Sequence, residues 1–383
     1  MVKGPPFQTP PRTLLGPGPS QVPASVLQAM ASPLMGHLDP GFLALMDRVQ
    51  GQLRQVFGTT QRMTLPISGT GSAGIECALA NLVEEGDRVV IGVAGLFGRR
   101  MVEMTRRLGG MPVPVESAWG TPVDVDRLPA QVRKSPTALV ALVQAETSTG
   151  VLQSLEGLGP AVHEMGSLLM VDAVTSLGGL PVDVDRHEID ICVSASQKCL
   201  SAPPGLSPLT MGDRALEKVR RRVTPCRSWY LDLALLDAYW GEERAYHHTA
   251  PISMIYALAA ALDLVLEEGL PARYARHLEG HHRLVEGLQE LGLDLLPRPA
   301  HRLPVLNAVR VPERVEERGI RSRLLERWGI EIGGGLGDLA GLVWRVGLMG
   351  ESNRFASVDL FLAALADCLG KVPLACPPAH GRP

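Results

Sequence analysis

Two apolar runs in this chain end on groups with chemistry to offer. Leu168-Leu-Met-Val-Asp172 finishes on a carboxylate, while Ile191-Cys-Val193 runs through Ser194-Ala-Ser-Gln197 to one lysine, Lys198, before Pro203-Pro-Gly205 stops regular structure. Desolvation just beyond a buried strand favours the neutral amine, the form of lysine that condenses with aldehydes such as pyridoxal phosphate. A solvated loop lysine is the plain alternative for this stretch taken alone. Asp172 changes the balance, because a pyridoxal site needs an acid for the ring nitrogen as well as a lysine for the aldehyde. The two stand 26 residues apart, a spacing that suits neighbouring strands of one sheet.

Other stretches can join them. Leu65-Pro-Ile-Ser-Gly-Thr-Gly-Ser-Ala-Gly-Ile75 opens a helix near residues 70–72, since Ile75, Ala78, Leu79 and Leu82 share one face, with Glu76 placed in the first turn. Glycines and hydroxyls at such a start leave free amides at the positive end of the helix dipole, a cup for phosphate. Gly69 to Gly74 also spells the G-x-G-x-x-G of dinucleotide-binding folds, but the following strand, 88–93, runs into Ala94-Gly-Leu-Phe-Gly98 without the acid that would hold a ribose. Phe97 offers either a ring to stack on a flat cofactor or a core side chain. Gln144-Ala-Glu-Thr-Ser-Thr-Gly150 supplies hydroxyls at Thr147, Ser148 and Thr149, and Leu14-Leu-Gly-Pro-Gly-Pro-Ser20 is a stiff turn where backbone can approach a ligand. Arg345 sits mid-strand between Trp344 and Val346, where a guanidinium must meet a carboxylate, structural or substrate-borne.

Between residues 87 and 211 strands at 88–93, 112–115, 138–143, 168–172, 190–194 and 207–211 alternate with helices near 99–108, 125–134 and 157–165. That order predicts an α/β fold with a mainly parallel sheet, helices on both faces, and ligands at the carboxyl ends of the strands. The 383 residues divide into an N-terminal arm, 1–20, lying on the surface or on a partner subunit, a large domain, 21–265, and a smaller C-terminal α+β domain, 266–383. A net charge of −3 gives no basic footprint for nucleic acid or anionic lipid, and no run reaches the length of a membrane span. The six cysteines are scattered, which fits a reducing cytoplasm; Cys77 and Cys192 lie in apolar patterns. His247-His248 and His281-His282 lack the i,i+4 spacing that puts two imidazoles on one helix face, so no metal site is expected.

With these residues assembled, the chain resembles the class V aminotransferases of fold type I, and among them the alanine–glyoxylate and serine–pyruvate aminotransferases. The resemblance is carried, in family order over nearly the whole chain, by residues 14–20, Ile-Ser-Gly-Thr-Gly-Ser (67–72), Glu-Thr-Ser-Thr-Gly-Val-Leu-Gln (146–153), Val-Asp-Ala-Val-Thr-Ser-Leu-Gly-Gly (171–179), Ser-Ala-Ser-Gln-Lys (194–198), Tyr-His-His-Thr-Ala-Pro-Ile-Ser (246–253) and Trp-Arg-Val-Gly-Leu-Met-Gly (344–350). It implies a seven-stranded sheet and pyridoxal 5'-phosphate as cofactor. Lys198 is then the Schiff-base lysine, and Asp172 the partner of the pyridinium nitrogen. Phe97 stacks on the ring where relatives often have tryptophan, and Thr147 lies near the ring oxygen where relatives often have serine. Gly71, Ser72 and Gln197 hold the phosphate, joined by Tyr246 and Thr249 from the other subunit of a homodimer. Ser72 stands where some relatives carry histidine, which leaves that role to its amide and hydroxyl. Arg345 binds the substrate α-carboxylate, with Gly16 and its neighbours keeping the pocket small. The activity implied is ping-pong transamination from alanine or serine to glyoxylate. The alternatives are an (S)-ureidoglycine–glyoxylate aminotransferase, where an asparagine-type residue is expected in place of Tyr246, and a cysteine desulfurase-like lyase, where histidine is expected in place of Gln197.

Overall fold

The computed structural model describes residues 9–371. Residues 1–8 of the expected arm, Cys376 and the tail 379–383 lie outside the described residues. The central sheet has seven strands: β1 (Met63–Ser68), β2 (Arg88–Val93), β3 (Met111–Glu116), β4 (Leu139–Val143), β5 (Leu168–Asp172), β6 (Ile191–Val193) and β7 (Leu206–Met211), in the order β1-β7-β6-β5-β4-β2-β3. Neighbours from β6 through β3 are parallel, while β7 is antiparallel to both β6 and β1. Every residue of β4, β5, β6 and β7 is buried, as strands covered on both faces require.

The reversal at β7 has a local cause. A parallel return needs a crossover of a dozen or more residues, normally a helix, that carries the chain to the far end of the sheet. Residues 194–205 contain no helix and stay at the carboxyl end of β6, so β7 can only come back alongside it. β1 is the strand that the apolar runs do not announce, because Pro66 interrupts its pattern. It is tolerated because β1 is an edge strand, and it faces Pro208 of β7 across the ladder.

The helix α1 (Pro40–Phe57) packs Phe42, Met46, Leu53 and Phe57 into the main core, capped by Asp39 Oδ1, which accepts from the Gly41 amide at 2.8 Å. Helices α2 (Gly71–Leu82) and α3 (Leu96–Arg107) follow β1 and β2. Ile75, Ala78, Leu79 and Leu82 are all buried on α2, as their spacing predicts, although Glu76 falls in its second turn and is exposed. A second core gathers Leu284, Leu288, Trp344, Val346, Phe361 and Leu365 around a three-stranded antiparallel sheet of β8 (Leu306–Arg310), β9 (Gly333–Gly334) and β10 (Val343–Gly347). Leu15 belongs to that second core, and Thr13–Leu14 pairs in parallel with Ile330–Glu331. The end of the expected surface arm is therefore part of the packed molecule, drawn in by two leucines that would otherwise face water. Among the described residues no helix is long and apolar enough to cross a membrane.

Candidate active site

Asp172 is the last residue of β5 and stands in register with Val193 of β6, so the acid and the lysine-bearing turn leave adjacent strands at the same end of the sheet. Its carboxylate is buried and accepts from the Val174 amide at 2.9 Å. Burial raises its pKa to about 7; that hydrogen bond opposes the rise, the nearby Glu146 adds to it and Lys198 works against it. Lys198 is shifted the other way, down to about 8, chiefly by burial; Arg345 adds to the fall and Asp172 opposes it. The lysine's Nζ donates to the carbonyl of Pro17. An acid and a base from one strand pair are thus both drawn toward neutral pH.

They open on a cavity of about 300 Å³. Gly71 and Ser72 line one wall with Thr70, and Gln197, Lys198 and Asp172 line the floor with Thr147; Phe97 and Arg345 border the same space. Eight of the residues singled out in the sequence therefore meet in one place. Gly16 does not line it: its carbonyl is pressed against Gly347, where an added Cβ would lie 2.0 Å away, and Pro17 and Gly18 form the wall instead. Tyr246 and Thr249 are exposed and line no part of the cavity in this chain. Of the three hydroxyls after β4 only Thr147 faces the space. Ser148 Oγ is tied to Glu146 and to the Leu96 amide, and Thr149 donates to the Ala94 carbonyl.

Arg345, in the middle of β10, is 6% exposed, and no carboxylate among the described residues forms an ion pair with it. Its Nε donates to the Gly334 carbonyl at 2.7 Å and one Nη to the Thr147 carbonyl at 3.4 Å. Among the described residues no structural carboxylate pairs with this buried guanidinium.

Two contributors were not foreseen from the sequence. Glu146, fully buried, accepts from the amides of Phe97 (3.2 Å), Gly98 (3.3 Å) and Ser148 (3.1 Å), and from Ser148 Oγ at 2.5 Å. It ties the start of α3, and with it the Phe97 ring, to the end of β4. Arg100 lines the cavity and sets its guanidinium over the Phe97 ring, 4.9 Å from the centroid. A charged residue in the first turns of α3 reads as solvated face, so spacing gave no hint of it.

The geometry agrees with the comparisons. A family model described as aminotransferase class-V matches residues 12–340. The chain belongs to the class V aminotransferases. The solved alanine–glyoxylate aminotransferase from Nostoc sp. is 49% identical and superposes with a TM-score of 0.95, covering 96% of this chain and 98% of that one. The solved ureidoglycine–glyoxylate aminotransferase from Bacillus subtilis is 39% identical with a TM-score of 0.94, covering 95% and 94%. Among curated relatives, alanine–glyoxylate aminotransferase from Oryctolagus cuniculus is 40% identical over 368 residues, 95% of this chain and 94% of its own length.

Membership implies pyridoxal phosphate, and the cavity fits that group. Thr70 precedes α2 without a side-chain cap, so the first amides of the helix remain open at the wall that Gly71 and Ser72 form. Gly71 leaves little room for a side chain; a Cβ there would lie 3.0 Å from Val174 and 3.1 Å from Ala195. Across the floor, Gln197 Oε1 is buried without a hydrogen-bond partner, a polar group that a ligand would satisfy.

Proposed function

We propose that this class V aminotransferase uses pyridoxal phosphate to move the amino group of alanine or serine to glyoxylate. Lys198 would carry the cofactor, Asp172 would face its ring nitrogen, and Phe97 would cover its ring. Gly71, Ser72 and Gln197 would hold the phosphate end, and Thr147 would lie beside the ring oxygen. The exposed Tyr246 and Thr249 would reach the phosphate of a second copy, making the homodimer the working unit. When bound, the cofactor supplies an electron sink for the bond between the substrate Cα and its proton.

The chain's own groups then have separate tasks. Arg345 takes the α-carboxylate of donor and acceptor alike, its planar fork already aimed by the Gly334 carbonyl. The Lys198 amine, neutral over much of the range above its lowered pKa of about 8, takes the proton from Cα and returns one in the reverse direction. Asp172, once ionised, holds a proton on the ring nitrogen. The same residues serve both halves of the cycle, so donor and acceptor bind in turn. The observation that carries this reading is the buried, carboxylate-free Arg345 in one small cavity with Lys198 and Asp172.

The amino donor is the finer part of the proposal. Glycines keep the space beside Arg345 small: a Cβ on Gly333 would lie 2.7 Å from Pro17 and 3.4 Å from the Arg345 guanidinium. That favours a short side chain, and Tyr246 stands where a ureidoglycine enzyme is expected to have an asparagine-type residue. No described cysteine lines the cavity, which disfavours a desulfurase. The test is a half-reaction titration of the yellow holoenzyme with alanine, serine, ureidoglycine, aspartate and cysteine, with Lys198→Ala as control. Bleaching by alanine or serine and recovery with glyoxylate is expected. Turnover of aspartate with no response to alanine or serine would sink the proposal.

A further inference from the structure

The segment 13–20 touches the reactive lysine at both ends. Ser20, 2% exposed, donates from Oγ to the Lys198 carbonyl at 2.7 Å, and its amide donates to the Gln197 carbonyl at 2.9 Å. At the other end of the side chain Nζ donates to the Pro17 carbonyl. Gly18 lies between, with φ +105°, and a Cβ there would fall 2.5 Å from Nζ and 2.8 Å from Cδ. The segment is itself anchored away from the lysine. Leu15 exchanges hydrogen bonds with Glu331 and Gly347 at 2.9 and 2.8 Å, and the Gln21 amide donates to Ser352 Oγ at 2.9 Å. Gly347 is on the strand that carries Arg345.

We propose that Ser20 and the Pro17 carbonyl are positioning groups for Lys198: the hydroxyl fixes the lysine's backbone, and the carbonyl receives its amine whenever the amine is not joined to the cofactor. The inference rests on the role given to Lys198 above. The physical need is specific. Once displaced by the amino substrate, a lysine with four rotatable bonds has to stay near Cα to move a proton, and the rotamer freedom of a loose side chain works against that. A carbonyl within reach holds it there through a hydrogen bond that either protonation state can donate. The carbonyl cannot be mutated, but its position depends on the short segment that Ser20 pins to the lysine.

The test compares Ser20→Ala with Ser352→Ala, which removes an anchor of the same segment but leaves both contacts to the lysine turn. Cofactor-free full-length protein is mixed with pyridoxal phosphate, and the yellow band is followed by stopped flow; the reconstituted holoenzymes are then assayed with alanine, and melting temperatures are recorded. Ser20→Ala is expected to slow band formation about tenfold, as losing one buried hydrogen bond would, and to lower kcat with little change in KM. Ser352→Ala is expected to match wild type in both rates even where its melting temperature falls as far. Equal slowing in the two variants, or none in Ser20→Ala, overturns the proposal. If Ser20→Ala does not fold, Ser20→Cys, a weaker donor of similar size, carries the same comparison. Lys198→Ala separates the levels: a yellow band in that variant refutes the role of Lys198 itself, whereas its absence beside a fast Ser20→Ala refutes only the positioning role.

Discussion

Replacing Arg345 by glutamine should damage substrate binding while leaving the protein at least as stable. Burial pulls the guanidinium's pKa from 12.5 to about 10, with Glu146 opposing the fall and Arg321 and Arg100 adding to it. At ~1.4 kcal/mol per tenfold, that is on the order of 3 kcal/mol spent on an unpaired charge. A buried charge held without a carboxylate partner is one that a substrate carboxylate would satisfy. Truncating one partner of a desolvated charge pair costs roughly 2–5 kcal/mol, so kcat/KM for alanine and for glyoxylate should both fall by about 10² to 10³-fold. Stopped-flow bleaching of the holoenzyme over a range of alanine concentrations isolates the first half-reaction, and return of the band with glyoxylate isolates the second. Both should show the loss, because under the proposed function one arginine would serve both carboxylates. Cofactor affinity should not change, and the melting temperature should hold or rise. A loss confined to one half-reaction, or weakened cofactor binding with normal alanine saturation, would refute the assignment.

Asp172→Asn tests the other buried charge. Its folded pKa, raised from 3.8 to about 7, means that the ligand-free native state binds the proton more tightly than the unfolded chain does, so its stabilising contribution is complete below pH ~4 and lost as pH rises toward 7. The ligand-free asparagine variant should be more stable than wild type at pH 8 and less pH-dependent between 4 and 7 by calorimetry, while activity falls by about 10² to 10³-fold, the worth of a buried ion pair. Glu146→Gln turns one of the two acceptor oxygens into a donor, so that either the Phe97 and Gly98 amides, which share Oε2, or the Ser148 amide and hydroxyl, which share Oε1, lose their acceptor; it should cost ~1–3 kcal/mol in denaturant unfolding and alter the visible circular dichroism of the bound cofactor. Gly71→Ala pushes on Val174 and Ala195 by a few tenths of an ångström. It should weaken cofactor binding about tenfold, by ~1.4 kcal/mol, measured by fluorescence quenching, with little effect on KM for alanine.

The parts of the site legible in the sequence are those where two levels of pattern coincide. Asp172 ends a continuous apolar run and Lys198 follows another by five residues, and a run of that kind fixes both burial and the end of the sheet at which the next residues emerge. Gly71 and Ser72 open a helix whose apolar face has a clear 3.6-residue period. The misses are of a different kind. Glu146 lies within a polar stretch, and nothing in its neighbours shows that two backbone amides from nearly 50 residues away, those of Phe97 and Gly98, converge on it. Ser20 sits in a run of glycine and proline that predicts only a turn, and its partner is 178 residues distant. Pro17 and Gly18 border the cavity where Gly16 does not, because glycine alternates with proline there and the pattern has no period to set the register. Long-range hydrogen bonds to backbone leave no local signature; apolar periodicity does.

This difference also explains why the site forms where it does. Under the proposed function the chain must bring a phosphate cup after β1, a ring cover after β2, a hydroxyl after β4, an acid after β5 and a lysine after β6 to one edge of one sheet. Parallel strands achieve the last four, linked by helices as far as β5 and by the helix-free stretch 173–190 from β5 to β6, since each carboxyl end points the same way. β1 would join them only if its own carboxyl end lay there too, and it does because β7 runs antiparallel between β1 and β6, restoring the common direction through two reversals. The helix-free loop 194–205 that forces the first reversal is the loop that carries Lys198. A helix inserted there would send β7 parallel, turn β1 around if its ladder with β7 were kept, and take the cup to the opposite edge. The lysine turn thus does two things with one piece of sequence: it presents the amine, and it sets the strand direction that places the cup beside it.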